Sequence, residues 1–115
     1  MREGVAVIVL RNAPRGSEFL LLKRATEPFL GEWFLVQGGI DPGESADDAA
    51  IRELREETQL APLTVYREST RVVPSKPDEV RLHIYVSFVS GERSVVLNEE
   101  HTEFRWCSLE EALQL

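Results

Sequence analysis

Cysteine and histidine are scarce in this chain, and long apolar runs are missing. Cys107 is the only cysteine among 115 residues, so no disulfide can form within the chain, and its place beside Trp106 predicts packing in the core. His83 and His101 have no second histidine or cysteine at ligand spacing, which argues against a zinc site and predicts structural roles for both. The longest early apolar run, Val5 to Leu10, is too short for a signal sequence or a membrane span, so we expect a cytoplasmic protein without a membrane partner.

Positive charge is also in short supply. The chain has 13 Lys and Arg against 20 Asp and Glu, a net charge of −7, which argues against binding to duplex nucleic acid. The length of 115 residues and the hydrophobic content of 43% predict one small domain spanning residues 1–115.

An acidic segment, ESADDAAIRELREE at residues 44–57, follows a glycine-containing stretch, QGGIDPG. Glu53, Glu56 and Glu57 are spaced i, i+3 and i+4, so on a helix they project from one strip. Such a strip is the oxygen-rich arrangement that Mg²⁺ prefers, usually completed by waters and substrate phosphates. The same pattern is also typical of an ordinary solvated helix face paired with neighbouring arginines, and on its own it leaves both interpretations open.

The helix itself has independent support. Ser45 followed by Asp48 resembles a capping box, and the residues after it are mostly good helix formers, so we predict a helix from about Ala46 to Thr58. An apolar stripe beside the acidic strip would pack on the protein; it consists of Ala50, Ile51 and Leu54.

The whole pattern is more specific than the acidic strip. Gly38, five residues, Glu44, seven residues and then RELREETQL at 52–60 closely resemble the Nudix box, Gly-x5-Glu-x7-Arg-Glu-U-x-Glu-Glu-x-Gly-U, in which U is apolar. The one departure is Gln59, which stands where the family has its second glycine. A helix often ends on a residue with positive φ, where Gln costs about 1 kcal/mol more than Gly, so this departure affects the loop geometry rather than the chemistry.

The remaining chain predicts mostly strands. The strand candidates are residues 5–10, 19–24, 33–36, 63–73, 79–89, 95–97 and 103–107. The first two form a hairpin around the turn at Asn12–Gly16, a loop covers Pro28 to Glu32, and a second turn covers Pro74 to Asp78. A short helix is expected from Glu110 to Leu115, because Ser108 with Glu111 repeats the capping pattern.

The Nudix resemblance implies an α/β (α+β) fold, an α/β/α sandwich with a central mixed β-sheet. The catalytic loop and helix would lie on one side and the terminal helix on the other. Family members usually continue further into the last helix, so the end at Leu115 suggests either a shortened chain or an unusually short terminus. The sequence leaves the oligomeric state open between monomer and homodimer.

The resemblance also implies a metal site for Mg²⁺, with Mn²⁺ as an alternative. Glu53, Glu56, Glu57 and the Gly38 carbonyl would hold the ion. Glu53 itself, or a carboxylate from a later loop, would deprotonate or orient the attacking water. We select Glu100 as that later carboxylate, although solvated acids are ordinary in a polar turn.

Two further expectations concern residues around the metal site. Glu103 is held in reserve for the role of Glu100. Arg52 is expected to pair with a carboxylate such as Glu44 or Glu56 and so to fix the loop against the helix.

The substrate contacts are predicted more loosely. Arg24, at the end of a predicted strand, could meet phosphates, although a basic residue there is as often merely exposed. Trp33, beside the metal loop, is a candidate platform for stacking a base, although aromatic residues near strands usually belong to the core. Gln37 and Gly39 flank the metal-binding glycine and are expected to approach the substrate, Gly39 through its backbone.

Two segments point to different substrates. Val36–Ile40, VQGGI, resembles a PQGGI stretch of dinucleoside polyphosphate and RNA 5′-pyrophosphate hydrolases, whereas EHTEFRW at 100–106 resembles the closing segment of nucleoside triphosphate and dihydroneopterin triphosphate pyrophosphohydrolases. We favour Mg²⁺-dependent hydrolysis of a small nucleoside polyphosphate, by attack of water on phosphorus at a P–O–P link. The alternatives are a dinucleoside polyphosphate or RNA 5′-pyrophosphohydrolase and a module of the same fold that binds nucleotides or partners without turnover.

Overall fold

The computed structural model describes residues 1–27, 29–75 and 77–115. In this part of the chain one mixed seven-stranded sheet is accompanied by two helices. In chain order the elements are β1 (Arg2–Ala13), β2 (Gly16–Arg24), β3 (Trp33–Phe34), β4 (Val36–Gly39), α1 (Ala46–Thr58), β5 (Pro62–Ser75), β6 (Asp78–Val89), β7 (His101–Cys107) and α2 (Leu109–Ala112).

Strand β1 is the centre of the sheet. It pairs in parallel with β6 and antiparallel with β2 and β4, while β5 pairs antiparallel with β6 at the edge. Alternate side chains of β1, Val5, Val7 and Val9, are almost fully buried in the core, as expected for a strand whose successive side chains point to opposite faces. The mixed sheet and the opening hairpin of β1 and β2 confirm the prediction.

Strands β1 and β2 separate beyond their shared turn, and this split positions the glycine-containing loop, residues 37–43. The two strands pair only near their turn, from Leu10 opposite Phe19 to Ala13 opposite Gly16. Further along, β3 pairs with β2 and β4 pairs with β1, so the chain from 33 to 39 lies in the opening. A Cβ at Gly4 would lie 2.9 Å from the Gly38 carbonyl oxygen, so this close approach of β1 to β4 requires glycine.

Helix α1 begins and ends where the sequence predicts. The Ser45 hydroxyl accepts from the Asp48 backbone N–H at 3.1 Å, which satisfies one of the unpaired donors at the helix start. The side chains of Ala49, Ala50 and Leu54 are buried, and the helix contacts β4, β1 and β5. The apolar stripe therefore fixes α1 across the loop end of β4.

The predicted strand at 95–97 is wrong. This segment has no strand partner, because the Val96 N–H donates instead to the Thr58 carbonyl at 2.9 Å, at the end of α1. The buried Val95 side chain and the partly buried Leu97 pack against the core. The apolar residues that predicted a strand are thus explained by packing of an irregular segment against the helix end.

Other differences concern element ends. Pro74 and Ser75 belong to β5 rather than to the predicted turn, which an edge strand permits because the missing N–H of proline faces no partner strand. The last helix is α2, which has the predicted capping box at Ser108 but spans only Leu109–Ala112 and contacts β2 and β7. The predictions for Pro28 and Lys76 lie outside the described residues. No helix in the described ranges combines the length and apolar character needed to cross a membrane.

Candidate active site

The end of β4 rests directly on the acidic side of α1. A Cβ added to Gly38 would collide with the Glu53 carboxylate, so only glycine allows this contact. Glu53 is only 7% exposed, which is unusual for an ionisable side chain on a helix. The loop backbone and a buried carboxylate therefore meet at Gly38.

Arg52 connects the loop to the helix. Its Nε and Nη2 donate to the two carboxylate oxygens of Glu44 at 2.8 and 2.9 Å, and Nη2 also donates to the Gly39 carbonyl at 2.9 Å. On the helix, Nη1 donates to Glu53 at 2.9 Å and to Glu56 at 3.3 Å. The predicted pairing of Arg52 with Glu44 and Glu56 is present, and it includes Glu53 as well.

This bidentate contact keeps Glu44 ionised. The Arg52 hydrogen bonds, followed by the Asp41 backbone N–H at 3.0 Å, lower the pKa of Glu44 to about 2. The same contacts raise the pKa of Arg52 above its ordinary value. The charged pair therefore persists at any pH at which the protein is expected to work, and the loop stays attached to the helix.

Glu57 is the most unusual carboxylate in the chain. It is 1% exposed, and neither of its side-chain oxygens has a hydrogen-bond partner among the described residues. Burial, followed by the neighbouring Glu53, raises the pKa of Glu57 far above its ordinary value; the nearby Gln37 backbone opposes this rise in part without reaching ordinary hydrogen-bond geometry. A buried carboxylate without donors is costly, and a bound cation is the partner that would compensate it, so this side chain fits a metal ligand.

The three predicted glutamate ligands do not point at one place. Within the described ranges, no three His, Cys, Asp or Glu side chains converge as a metal cluster. Glu56 has a side chain that is 52% exposed and turned to Arg52, which also binds Glu53. Glu53 and Glu57 therefore make the inner pair, and Glu56 must leave Arg52 to join them. The set of four ligands, including the Gly38 carbonyl, stays a prediction.

The loop before β7 brings Glu100 towards the same place. Its backbone N–H donates to the Asn98 side chain at 3.1 Å, and its carbonyl accepts from the Ala25 N–H at 2.9 Å. The charge of Glu100 contributes to the raised pKa of Glu57, so the two carboxylates are close enough to interact. Glu103, the reserve candidate, instead binds Lys23 at 3.2 Å across β2 and β7.

His101, for which the sequence predicts a structural role, lies beside Glu57. It is 7% exposed, and its Nε2 lies 3.8 Å from the Oε1 of Glu57. Burial lowers its pKa, so the imidazole is neutral near neutral pH. The sequence feature that could have indicated this location is its position directly after Glu100, at the start of β7 beside the candidate catalytic loop.

A cavity of about 750 Å³ opens on the other side of the glycine-containing loop. Its size is in the usual range for small-molecule sites, and its walls are mostly apolar. Phe29 and Phe34 lie at one end with ring centroids 5.5 Å apart, and the opposite wall comes from β5 and β6. The lining includes Gly4, Gln37, Gly38, Gly39, Val73, Val80 and Leu82. Gly38 borders both the cavity and Glu53, whereas Glu53, Glu56, Glu57 and Glu100 are not among the described residues that line the cavity.

Comparisons with known proteins agree with this arrangement. The family model of the NUDIX domain matches residues 1–115. The chain belongs to the Nudix family. It is 37% identical over 106 residues to nucleoside triphosphatase NudI of Klebsiella pneumoniae (strain 342), covering 81% of this chain and 74% of that protein. It is 29% identical over 119 residues to the asymmetrical bis(5′-nucleosyl)-tetraphosphatase of Caenorhabditis elegans, covering 98% and 83%.

A solved structure also matches. The Ap4A hydrolase of C. elegans, in a binary complex, superposes with a TM-score of 0.87 at 26% identity, covering 99% of this chain and 85% of that one. These comparisons confirm the predicted Nudix family and fold class.

The Nudix box of this chain keeps its form despite Gln59. That residue has φ 60° and ψ 16°, the left-handed conformation for which the family uses glycine, and its N–H donates to the Arg55 carbonyl at 2.9 Å. The helix therefore ends on a left-handed residue, as is usual. Gln59 carries the backbone strain that glycine would avoid, and the geometry of the helix end is unchanged.

Two substrate contacts predicted around the box do not line the cavity. The Trp33 ring lies 5.1 Å from the Arg105 guanidinium carbon and 5.9 Å from Lys23 Nζ. Phe34 lines the cavity and Trp33 does not, because neighbouring side chains of a strand point to opposite faces. Arg24 donates to Thr26 at 3.3 Å and is near enough to His101 to lower its pKa, so its phosphate contact stays a prediction. Gln37 and Gly39 do line the cavity, as a substrate role requires.

Proposed function

We propose that this protein is a divalent-metal-dependent Nudix pyrophosphohydrolase that cleaves a phosphoanhydride bond of a nucleoside polyphosphate. The relatives named as a nucleoside triphosphatase and a tetraphosphatase support this reaction class. The observation that carries the proposal is Glu57, a buried carboxylate without a donor that lies beside Glu53. At Gly38 this pair adjoins a cavity large enough for a nucleoside.

The residues present fit Mg²⁺, with Mn²⁺ as an alternative, because hard cations take carboxylate and backbone oxygens. Glu53, Glu57 and the Gly38 carbonyl would be ligands, and Glu56 would join them after leaving Arg52. Bound there, the cation would neutralise phosphate charge and lower the pKa of a coordinated water.

Side chains of this protein then position the substrate-binding loop and take up a proton from the attacking water. Glu53 or Glu100 accepts a proton from the attacking water, whose oxygen forms a bond to phosphorus while the bridging P–O bond breaks. The products are a nucleotide and phosphate or pyrophosphate. Arg52 holds Glu44 and the Gly39 carbonyl against α1, so the loop that carries the substrate keeps its place. Phe34 and Gln37 contact the nucleoside in the cavity.

Nucleoside triphosphates are the first choice of substrate. The relative named as a nucleoside triphosphatase is 37% identical, against 29% for the tetraphosphatase. Dinucleoside polyphosphates remain the second candidate, because the tetraphosphatase covers 98% of this chain; RNA 5′-pyrophosphohydrolysis falls in the same group. A non-catalytic nucleotide-binding module is disfavoured because Glu53, Glu56 and Glu57 are all retained. The cytoplasmic location stays a prediction.

The deciding experiment is a substrate panel assayed for release of phosphate and pyrophosphate. The panel contains nucleoside triphosphates, dinucleoside polyphosphates, nucleotide sugars and 5′-triphosphorylated RNA, each with Mg²⁺, with Mn²⁺ and with a chelator. We expect metal-dependent hydrolysis of nucleoside triphosphates. Binding of Mg²⁺ with no hydrolysis anywhere in the panel would contradict the catalytic proposal and favour the binding module.

A variant tests the part played by the buried carboxylate. Glu57→Gln should leave the metal-free fold intact, because Gln has nearly the same shape and removes a buried carboxylate that has no hydrogen-bond donor among the described residues. Metal-dependent turnover should fall by orders of magnitude, since a ligand loses its charge. Glu110→Gln, on the exposed helix α2, is the matched control and should retain full activity. Full activity in Glu57→Gln would remove Glu57 from the metal site.

A further inference from the structure

Two buried polar side chains face each other behind the metal site. Glu57 Oε1 and His101 Nε2 are 3.8 Å apart, and the two side chains are 1% and 3% exposed. Both Glu57 oxygens lack hydrogen-bond partners among the described residues, and so does the Nδ1 of His101. Buried polar atoms without partners are rare in folded proteins, and the two Glu57 oxygens lie beside a buried imidazole, which indicates a functional reason.

The backbone holds His101 at this place. It is the first residue of β7, paired with Arg24 of β2 at the point where the register of the two strands shifts. The preceding turn is closed by the contact from the His101 N–H to the Asn98 carbonyl at 3.4 Å and is anchored by Ala25 on Glu100. The imidazole therefore approaches Glu57 from β7 of the sheet, whereas Glu57 and the other glutamates are carried by α1.

We propose that His101 is a positioning residue for Glu57, donating Nε2–H to one carboxylate oxygen so that the other oxygen faces the cation. This inference rests on the proposed metal-dependent function. It assigns the neutral imidazole with the proton on Nε2, the tautomer in which that nitrogen is a donor.

The geometry requires only a small adjustment. The 3.8 Å separation exceeds hydrogen-bond distance by less than 1 Å, roughly what a side-chain rotation can close. Both Glu57 oxygens are acceptors without a partner among the described residues, so one of them can take up the N–H. Hydrogen bonds from outside the ligand shell orient ligands in this way, and their loss typically costs about 10-fold to 100-fold in metal affinity.

The test measures Mn²⁺ binding by calorimetry, without nucleotide, in the full chain. His101→Leu removes both ring nitrogens and should weaken Mn²⁺ binding about 10-fold or more. His101→Gln places an amide N–H near the position of Nε2 and should restore the affinity, whereas His101→Asn reaches only the position of Nδ1 and should not. His83→Gln is the matched control, because His83 bonds Glu3 and Thr70 on the opposite part of the sheet and should bind Mn²⁺ as the wild type does.

The contrast between Gln and Asn separates positioning from general stability. A purely structural role predicts that both amides change the melting temperature of the metal-free protein and that metal affinity follows the fraction folded. Equal Mn²⁺ affinity in the Gln and Asn variants, both folded, would overturn the proposal, even if His101→Leu does not fold. Unchanged affinity in a folded His101→Leu variant would overturn it too.

The readout also separates this proposal from the proposed function. If the wild type binds Mn²⁺ through Glu57 but hydrolyses nothing in the substrate panel, the catalytic function fails and the His101 variants still decide the positioning role. If the wild type hydrolyses nucleotides while affinity is the same in every His101 variant, the function stands and the positioning role fails.

Discussion

Gln59 shows how a single residue can depart from a motif without changing the chemistry. At φ 60° the side chain of an L-residue crowds its own backbone, a cost that glycine avoids. We expect Gln59→Gly to raise the free energy of unfolding by about 1 kcal/mol in denaturant titrations and to leave metal-dependent turnover unchanged. Gln59→Ala is the control, since it keeps the Cβ and should give no such gain. A loss of stability in Gln59→Gly would show that the Gln side chain makes a stabilising contact.

Glu44 predicts how the protein responds to acid. Its pKa is about 2 in the folded protein and ordinary in the unfolded chain, so its contribution to stability is present above about pH 4.5 and disappears as the pH falls towards 2. We expect the wild type to lose stability more steeply over this interval than Glu44→Gln, which is less stable at pH 7 but lacks this titration. Thermal unfolding at a series of pH values measures the difference. Parallel curves would mean that Arg52 does not stabilise ionised Glu44.

The sequence predicts which residues reach the site better than it predicts their partners. Spacing places Glu53, Glu56 and Glu57 on one side of a helix, because helical geometry is local. Spacing does not reveal that Arg52 binds the Gly39 carbonyl, nor that Glu57 is buried against His101. These contacts depend on how β7 and the loop pack around α1, and packing of distant segments leaves no periodic signal.

At the scale of elements, α1 is tied to the sheet by a polar cluster at its N-terminal end. Tyr85 of β6 donates its hydroxyl to Asp47 of α1 and accepts from Arg67 of β5 at 2.8 Å. Because Asp47 and Arg67 are exposed, loss of the hydroxyl leaves no buried charge. We expect Tyr85→Phe to lower the free energy of unfolding by about 1 kcal/mol with the fold retained.

Measurement of kcat in two variants tests whether this cluster also orients α1. Asp47→Asn is the matched variant, because it keeps an acceptor for the Tyr85 hydroxyl but removes the charge facing Arg67. If the cluster only adds stability, kcat is unchanged in both variants at a temperature where each is folded. A fall in kcat for Tyr85→Phe alone would show that the tie also sets the position of the glutamates on α1.

Strands were predicted well where burial alternates and poorly where it does not. The predicted strand at β6 is confirmed, but its buried face is not the expected one. The side chains of Tyr85, Ser87 and Val89 are buried, whereas the alternating apolar residues that predict the strand are only partly buried: Val80, Leu82, Ile84, Val86 and Phe88. At 95–97 a short apolar run was interpreted as a strand, but its backbone bonds the end of α1. A run of three residues is too short to separate a strand from an irregular segment packed on a helix.

For the whole molecule, the split between β1 and β2 decides where substrate and metal can meet. The chain from 33 to 39 fills the split, with Gly38 against Glu53 on the helix side and the cavity beyond the loop. Under the proposed function, the cation would lie on the helix side of Gly38 and the nucleoside in the cavity, so the phosphates would have to pass this residue. Substitutions in the cavity should therefore change nucleoside binding while leaving metal binding intact.

Phe34 and Trp33 test this division, because they lie on opposite faces of β3. Phe34 lines the cavity, so Phe34→Ala should raise KM for a nucleoside triphosphate about tenfold through lost stacking, with kcat and Mn²⁺ affinity little changed. Trp33→Ala should leave KM near the wild-type value, since its ring faces Arg105 and Lys23. Phe104→Ala removes an exposed aromatic side chain of β7 and serves as the control for the loss of a ring. A rise in KM for Trp33→Ala and none for Phe34→Ala would place the base on the other face of β3, outside the cavity.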